Sequence, residues 1–182
     1  MADLMLTPRN AWADLTVAEI PGATLKPSPT RHRVLFQARE RELETRMKAA
    51  GMAAPPAILR ARMMDDVALL RPGPDEWLIV SEAEISPKWH EIAGPGAIEI
   101  SHGYAGIEWC GPRVMLALSA GCPLDLHESA FPVGMASRTL YGKSEMLLWR
   151  QDHARFHMEV ARSYLSAILA FFGETARHLP QS

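Results

Sequence analysis

The length and composition of the sequence are those of a folded globular protein. It has 182 residues, of which 48% are hydrophobic and 22% charged, and its net charge is -2. A near-neutral charge argues against nucleic acid, which favours a basic face, and no apolar run reaches the ~18 residues of a membrane span. Two cysteines are too few for a disulfide framework, so a reduced, cytoplasmic protein is expected.

Residues 1–30 are interrupted by prolines and are interpreted as an N-terminal arm, partly extended. Each large apolar side chain left in water would cost about 1.5–3 kcal/mol. The arm is therefore expected to pack on its own domain or on a partner chain. Its apolar side chains are Leu4, Leu6, Trp12, Leu15, Val17 and Ile20. No charged start followed by an apolar run is present, so no secretory signal is predicted.

Residues 31–94 are predicted to form a small α+β domain. Strands are expected at residues 31–37, 58–64, 67–70 and 76–81, and a helix at residues 39–50. Two prolines and a glycine at residues 71–75 predict a turn, because such residues do not continue a strand. Pro87 limits any helix in residues 82–93. The neighbouring arginines are predicted to lie on a solvated face: Arg31, Arg33, Arg39 and Arg41.

Residues 95–182 are predicted to form a ferredoxin-like α+β domain. Alternation indicates a half-buried strand at residues 97–101, followed by a turn at 103–106 and a short strand at 107–110. A short apolar helix follows Pro112 and ends at Gly121. After a structured crossover through residues 121–134, strands at 136–141, 145–150 and 155–161 predict an antiparallel meander. A last helix at residues 163–176, capped by Ser163, completes the domain.

The predicted fold class is therefore α+β. It consists of two small sandwich halves, in which antiparallel sheets carry helices packed on one face.

Two pairs of reactive side chains were weighed as sites. His153 and His157 are four residues apart, a spacing that holds zinc on a helix, but here it crosses a turn into a strand. Cys122 and His127 are a candidate nucleophile and base, yet Cys122 stands between a glycine and a proline and is better explained as a small buried residue. We therefore predict neither a zinc site nor a nucleophilic pair at these positions.

The remaining polar motifs fit turns better than catalysis. Ser101-His102 has no acid within range to complete a triad. Asp65-Asp66 and Asp75-Glu76 are adjacent in turns, whereas glycoside chemistry needs acids that face each other across a cleft. Gly94-Pro95-Gly96 lacks the Lys and Ser/Thr of a phosphate loop. We predict no catalytic, cofactor-binding or metal residue in this chain, and a binding or subunit module is favoured over an enzyme.

Several stretches in order along the chain resemble the gamma subunit of heterotetrameric sarcosine oxidase. The resemblance covers about residues 65–172. The stretches are RPGPDEWLIV at 71–80, ISH at 100–102, GPR at 111–113, GCPLDLH at 121–127, AFPVG at 130–134, RTL at 138–140, LWR at 148–150 and RSY at 162–164.

The resemblance implies a complex that oxidatively demethylates sarcosine to glycine. The expected partners are an alpha subunit as the main contact, together with beta and delta subunits. FAD, FMN, NAD and tetrahydrofolate are expected on those other subunits. The gamma subunit is expected to be non-catalytic, to serve assembly and stability, and to be similar in fold to part of the folate-dependent aminomethyltransferase of glycine cleavage.

Alternatives remain open at this point. One is a stand-alone folate or one-carbon binding module of the aminomethyltransferase type, and another is a subunit of a related N-methyl amino acid oxidase or dehydrogenase. A homodimer that uses the N-terminal arm is a third. Within the resembling stretches, Asp125 is predicted to accept backbone N–H bonds. Arg138 or Arg162 is predicted to pair with an acid across the sheet or across an interface.

Overall fold

The computed structural model describes Trp12, Leu15, Val17, residues 20–30 and residues 32–179. Within these residues, ten strands form two antiparallel sheets, and four α-helices pack on them. The strands are β1 (Thr24–Pro27), β2 (His32–Gln37), β3 (Arg60–Met64), β4 (Val67–Gly73), β5 (Glu76–Ser81), β6 (Ile98–Glu99), β7 (Tyr104–Cys110), β8 (Ala136–Tyr141), β9 (Ser144–Asp152) and β10 (Arg155–Ala161). The helices are α1 (Glu40–Ala49), α2 (Pro87–Ala93), α3 (Val114–Ser119) and α4 (Leu165–His178).

Sheet 1 has the strand order β3-β4-β5-β2-β6, and sheet 2 the order β1-β7-β10-β9-β8. Helices α1 and α2 pack on the outer face of sheet 1, and α3 and α4 on the outer face of sheet 2. This arrangement confirms the predicted α+β class, with antiparallel sheets that each carry helices on one face.

Strand β5 shows why the central strands of sheet 1 are apolar along their whole length. Trp77 and Ile79 contact the helices, whereas Leu78 and Val80 belong to a separate core between the two sheets. Both faces are therefore buried, which requires a continuous apolar run instead of an alternating one.

Sheet 2 is filled on its helix side by large aromatic groups. Trp109 lies at the centre, with its ring 5.3 Å from that of Tyr141 and 5.1 Å from that of Phe172, both edge-on. Edge-on pairs of this kind add about 0.5–1.5 kcal/mol beyond the buried area. The same core takes in Ile20 and the partly buried Trp12, Leu15 and Val17. Packing of the arm on its own chain is thus confirmed for these residues, while Leu4 and Leu6 lie outside the described residues.

The two sheets face each other and are also joined at one corner by backbone hydrogen bonds. Ala61 N–H donates to the carbonyl of Gly134 at 2.8 Å, and Ala136 N–H donates to the carbonyl of Leu59 at 3.0 Å. The apolar part of the layer between the sheets contains Ala68, Leu70, Leu78, Val80, Ala136, Leu147 and Trp149. The result is four layers, with helices outside and sheets inside.

Proline and glycine account for the wrong element predictions in the first half. The turn predicted at residues 71–75 is confirmed only at Pro74 and Asp75, because β4 continues to Gly73. Pro72 has no N–H to donate to the neighbouring strand. A shift in register between Leu70 and Gly73 accommodates it, because no ladder hydrogen bond is then required at this position. Pro87 does not interrupt a helix but is the first residue of α2. The N–H that proline lacks would have no partner within the helix at this position.

Three predictions in the second half also need correction. The half-buried strand at residues 97–101 is reduced to β6, which is exposed, and a 3-10 turn follows at Ser101–Gly103. The turn predicted at residues 103–106 is wrong, since β7 begins at Tyr104. Ser163 lies in a 3-10 turn and does not cap α4, whose N-cap is Tyr164. The meander β8-β9-β10 is confirmed.

Each sheet takes one edge strand from the other part of the chain. β1, within the predicted arm, pairs with β7, and β6, which follows residue 94, pairs with β2. The division into residues 1–30, 31–94 and 95–182 stays a prediction. Among the described helices, none is both long enough and apolar enough to span a membrane.

Candidate functional site

The two histidines weighed as zinc ligands lie in different environments. His153 is exposed in the turn before β10, with Nδ1 3.2 Å from a carboxylate oxygen of Glu128. His157 is buried between the sheets and contacts Glu159. Across the described residues, no group of three or more His, Cys, Asp or Glu side chains is arranged to hold a metal ion.

Cys122 and His127 also have different partners. Cys122 is buried in the core of sheet 2, and its Sγ lies 3.9 Å from the hydroxyl of Thr139. His127 is exposed, with Nδ1 2.8 Å from Ser129 Oγ. The predicted role of Asp125 is confirmed, because its Oδ1 accepts the N–H of His127 at 2.9 Å.

The other polar motifs have the local roles expected of turns and strand ends. Asp65 and Asp75 both occupy hairpin turns with a φ of 54°. Ser101 Oγ accepts the N–H of Arg33 at 2.7 Å, while His102 is exposed.

A buried ionic network between the sheets is the most unusual polar feature of the fold. Arg33 on β2 donates from Nε to Glu159 Oε2 on β10 at 2.6 Å, and His157 Nε2 lies 2.7 Å from Glu159 Oε1. Arg33 is 3% exposed and Glu159 is 1% exposed. The prediction of a solvated face is therefore wrong for Arg33. Ser28 Oγ lies 3.3 Å from His157 Nδ1 and completes the network.

The electrostatic balance of this network keeps Glu159 ionised. Burial by itself would raise the pKa of Glu159, but the hydrogen bond and charge of His157 and the charge of Arg33 outweigh burial, and the pKa lies below its usual value. Removal of a charged partner from such a buried carboxylate is destabilising, because it leaves a buried charge uncompensated.

Gly106 on β7 allows this network to close. A methyl group at Gly106 would lie 2.7 Å from Cβ of Ser28, 3.0 Å from Arg33 Nη2 and 3.2 Å from Cε1 of His157. Only glycine therefore leaves room for Ser28, Arg33 and His157 to lie over the strand at this point.

Glu108 continues the polar layer towards the edge of sheet 2. Its carboxylate, 4% exposed, lies 3.2 Å from Lys26 Nζ and accepts from Arg155 Nη2 at 3.0 Å. Burial would raise the pKa of Glu108, but Arg155 and Lys26 lower it below its usual value. The two cations are half exposed, so this cluster closes the layer towards solvent.

Arg138 on β8 forms a second link between the sheets and confirms the prediction that this arginine pairs with an acid. Its Nε donates to Glu76 Oε1 on β5 at 3.0 Å, its Nη2 donates to the same carboxylate, and Nη1 lies 3.5 Å from Glu145 Oε1. The hydrogen bond to Glu76 raises the pKa of Arg138. Such a two-point contact fixes the relative position of the strands.

Arg150 holds the crossover against sheet 2 without a carboxylate. Its Nη1 donates to the carbonyls of Leu126 at 3.2 Å and Phe131 at 2.8 Å, and its Nη2 donates to the carbonyl of His153 at 2.8 Å. The guanidinium carbon lies 5.2 Å above the ring of Phe156. The crossover of residues 121–134 is thus the structured loop that the sequence predicted, and one buried arginine orders it.

The bonds of these clusters join the two sheets and hold the crossover. Glu159 and His157 are buried and bonded to each other. Sequence reasoning did not identify Arg33, Glu159 or Arg150. The available signal was the occurrence of polar residues within otherwise apolar strands, most clearly His157 and Glu159 in β10.

Sequence comparison gives the family of the chain. A family model described as sarcosine oxidase, gamma subunit family, matches residues 36–176. A sarcosine oxidase subunit gamma from Corynebacterium sp. (strain P-1) is 33% identical over 117 residues, which cover 61% of this chain and 58% of that protein. A sarcosine oxidase subunit gamma from Arthrobacter sp. is 35% identical over 104 residues, which cover 52% of this chain and 49% of that protein. The chain therefore spans about half the length of these curated relatives.

Solved structures share the fold. A chain of heterotetrameric sarcosine oxidase from Corynebacterium sp. U-96 matches with a TM-score of 0.72 and 22% identity, over 89% of this chain and 87% of that one. The glycine cleavage system aminomethyltransferase T from Bartonella henselae matches with a TM-score of 0.60 and 14% identity, over 85% of this chain and 46% of that one. Because the family model covers most of the chain, this protein belongs to the sarcosine oxidase gamma subunit family.

Proposed function

We propose that this chain is a non-catalytic subunit of a heterotetrameric sarcosine oxidase, in which it serves assembly and stability. The observation that carries the proposal is the family match over residues 36–176. The geometry agrees, because the buried charged groups of Arg33, Glu159 and Glu108 are bonded within the chain. The reaction of the complex is the oxidative demethylation of sarcosine to glycine.

In this proposal the alpha subunit is the main contact, and beta and delta subunits complete the complex. FAD, FMN, NAD and tetrahydrofolate belong to those other subunits. A cytoplasmic location fits the two cysteines, Cys110 and Cys122, which are both free thiols.

The test is co-expression of this chain with the alpha, beta and delta chains encoded by the same genome. Size by light scattering, flavin absorbance and sarcosine-dependent peroxide formation are measured with and without this chain. The proposal expects a yellow complex of four different chains whose activity is lost or decays faster on heating when this chain is omitted. A panel of other N-methyl amino acids identifies the preferred substrate.

Recovery of this chain alone and colourless, while the other three chains assemble and remain equally stable, would overturn the proposal. Titration of the isolated chain with tetrahydrofolate then decides about the alternative. Saturable binding would favour a stand-alone module of the aminomethyltransferase type.

A further inference from the structure

His157 on β10 lies where the two sheets meet the segment that connects them. It is 1% exposed. Its Nε2 lies 2.7 Å from Glu159 Oε1, and its Nδ1 lies 3.3 Å from the hydroxyl of Ser28. Ser28 directly follows β1 of sheet 2 and is only partly buried, at the start of the connection to β2 of sheet 1. One ring nitrogen therefore faces the core, and the other faces the connecting segment.

Glu159 fixes which nitrogen of His157 keeps its proton. The pKa of this carboxyl lies below its usual value, so the group is ionised. An ionised carboxylate accepts hydrogen bonds and donates none, and Nε2 therefore carries a proton whether the ring is charged or neutral. Arg33 donates to the other oxygen of the same carboxylate at 2.6 Å and holds it in place. It follows that any proton that His157 gains or loses is bound at Nδ1.

Two hydroxyl groups next to Nδ1 fit either charge state of the ring. Ser28 Oγ lies 3.1 Å from Thr30 Oγ1 and accepts the N–H of Thr30 at 3.2 Å. A hydroxyl has one proton, which rotates to suit its partners, and two lone pairs. Since the N–H of Thr30 occupies one lone pair, one proton and one lone pair are left for Thr30 Oγ1 and His157 Nδ1. If Nδ1 is protonated, Ser28 accepts from it and donates to Thr30; if Nδ1 is unprotonated, Ser28 donates to it and accepts from Thr30.

The charged groups that face His157 come from four strands. Of the side-chain types among them, histidine alone ordinarily changes charge between about pH 5 and 8. The neighbouring strand β9 places the ring of Trp149 6.0 Å from the imidazole and adds no charge there. The charged groups are Glu159 and Arg155 on β10, Glu108 on β7, Lys26 on β1 and Arg33 on β2.

We propose that His157 is a pH-sensitive contact between the two sheets, which titrates at Nδ1 while the hydroxyls of Ser28 and Thr30 reverse direction. Each state of the ring then has a complete set of hydrogen bonds, because the reversal exchanges a donor for an acceptor at Nδ1. Ser28 and Thr30 are both partly exposed, so the proton is exchanged with water on their side. The charge of the layer changes by one unit, and the link from His157 to Glu159 is kept in both states.

The test follows the ring nitrogens of the full chain, labelled with 15N-histidine, by long-range 1H–15N correlation spectra between about pH 5 and 8. His157→Gln identifies the signals of this residue. We expect the Nε2 shift to stay that of a protonated nitrogen at every pH. The Nδ1 shift should move from that of a protonated to that of an unprotonated nitrogen as the pH rises.

Two variants test the role of the hydroxyls. Ser28→Ala leaves a protonated Nδ1 without its acceptor, and Thr30→Val leaves the proton of Ser28 without its acceptor when the ring is charged. Both changes disfavour the charged ring, so each should move the midpoint of the Nδ1 titration to lower pH by about 0.5–1 unit. The matched control is Thr45→Val, which removes a hydroxyl on α1 that donates to the carbonyl of Arg41 at 2.7 Å and should leave the midpoint unchanged.

Circular dichroism verifies that each variant is folded. Three results would each overturn the inference. The first is loss of the Nε2 proton in the neutral ring, and the second is an Nδ1 shift that does not change over the whole pH range. The third is a midpoint in both Ser28→Ala and Thr30→Val that equals or exceeds that of the wild type. The subunit role proposed above does not depend on any of these results.

Discussion

Removal of one partner from the buried pair of Arg33 and Glu159 is expected to destabilise the protein strongly. Glu159→Gln leaves the guanidinium of Arg33 in a layer where that side chain is 3% exposed. Breaking a buried pair in this way costs about 3–5 kcal/mol. Against a total stability of about 5–15 kcal/mol, the loss is a large fraction. Arg33→Met is expected to cost a similar amount, because Glu159 then keeps only His157.

The double variant, Arg33→Met with Glu159→Gln, is expected to lose much less than the sum of the single losses. It leaves no unpaired charge at these two positions, and the coupling between two residues in contact reaches about 0.5–3 kcal/mol. Urea unfolding followed by fluorescence of the five tryptophans measures each variant. A single-variant loss of this size lowers the urea midpoint by about 1 M or more.

The exposed pair of Arg46 and Glu42 on α1 is the control for charge removal. Glu42→Gln should change stability by only about 0.3–0.5 kcal/mol, as for other pairs one helical turn apart. A loss below about 1 kcal/mol in Glu159→Gln, or a double variant whose loss equals the sum of the single losses, would refute the reasoning.

Three further predictions follow from other contacts. Because the pKa of Glu159 in the folded protein lies below its ordinary value of 4.5, the ionised side chain stabilises the protein fully above pH 4.5. This stabilisation is lost as the pH falls through the folded pKa. The difference in urea midpoint between wild type and Glu159→Gln should therefore shrink below about pH 4.5. Gly106→Ala should lower the free energy of unfolding by about 1–3 kcal/mol, because the added methyl group overpacks against Ser28 and Arg33. The control Gly103→Ala, which has nothing within 4 Å of the added methyl group, should leave the melting temperature nearly unchanged. Equal effects of the two variants would contradict this prediction. Asp75→Gly should raise the free energy of unfolding by about 0.5–1 kcal/mol, because glycine adopts a φ of 54° at a lower conformational cost than aspartate. A lower melting temperature would contradict this prediction.

The sequence predicts most of sheet 2 and its helices because periodicity is a local property. Strands β8 and β10 coincide with their predicted bounds, since their alternation and the turns at Gly142 and Ala154 lie within a few residues. The prediction fails at Pro72 because the bulge that accommodates the proline depends on how β5 pairs with β4, and pairing is not a local property.

The polar layer was beyond sequence reasoning for the same reason. Arg33 and Glu159 are 126 residues apart, and their meeting depends on the stacking of two sheets. A strand with polar residues on one side is expected to expose that side to solvent. Arg33 in β2 was therefore expected to face water. In the structure that face is covered by sheet 2. The assignment to the gamma subunit family, by contrast, came from short stretches such as residues 121–127, and the family comparison confirms it.

The position of β10 in the middle of sheet 2 has a consequence for biosynthesis. β7 pairs with β10 on one side, and β10 pairs with β9 on the other, so β10 separates strands that are translated earlier. Until the ribosome has released residue 161, β1 and β7 form one fragment and β8 and β9 another, each with an unpaired edge. Unpaired edges of this kind aggregate readily. The nascent chain is therefore expected to be most prone to aggregation just before β10 emerges, although sheet 1 can already have formed by then.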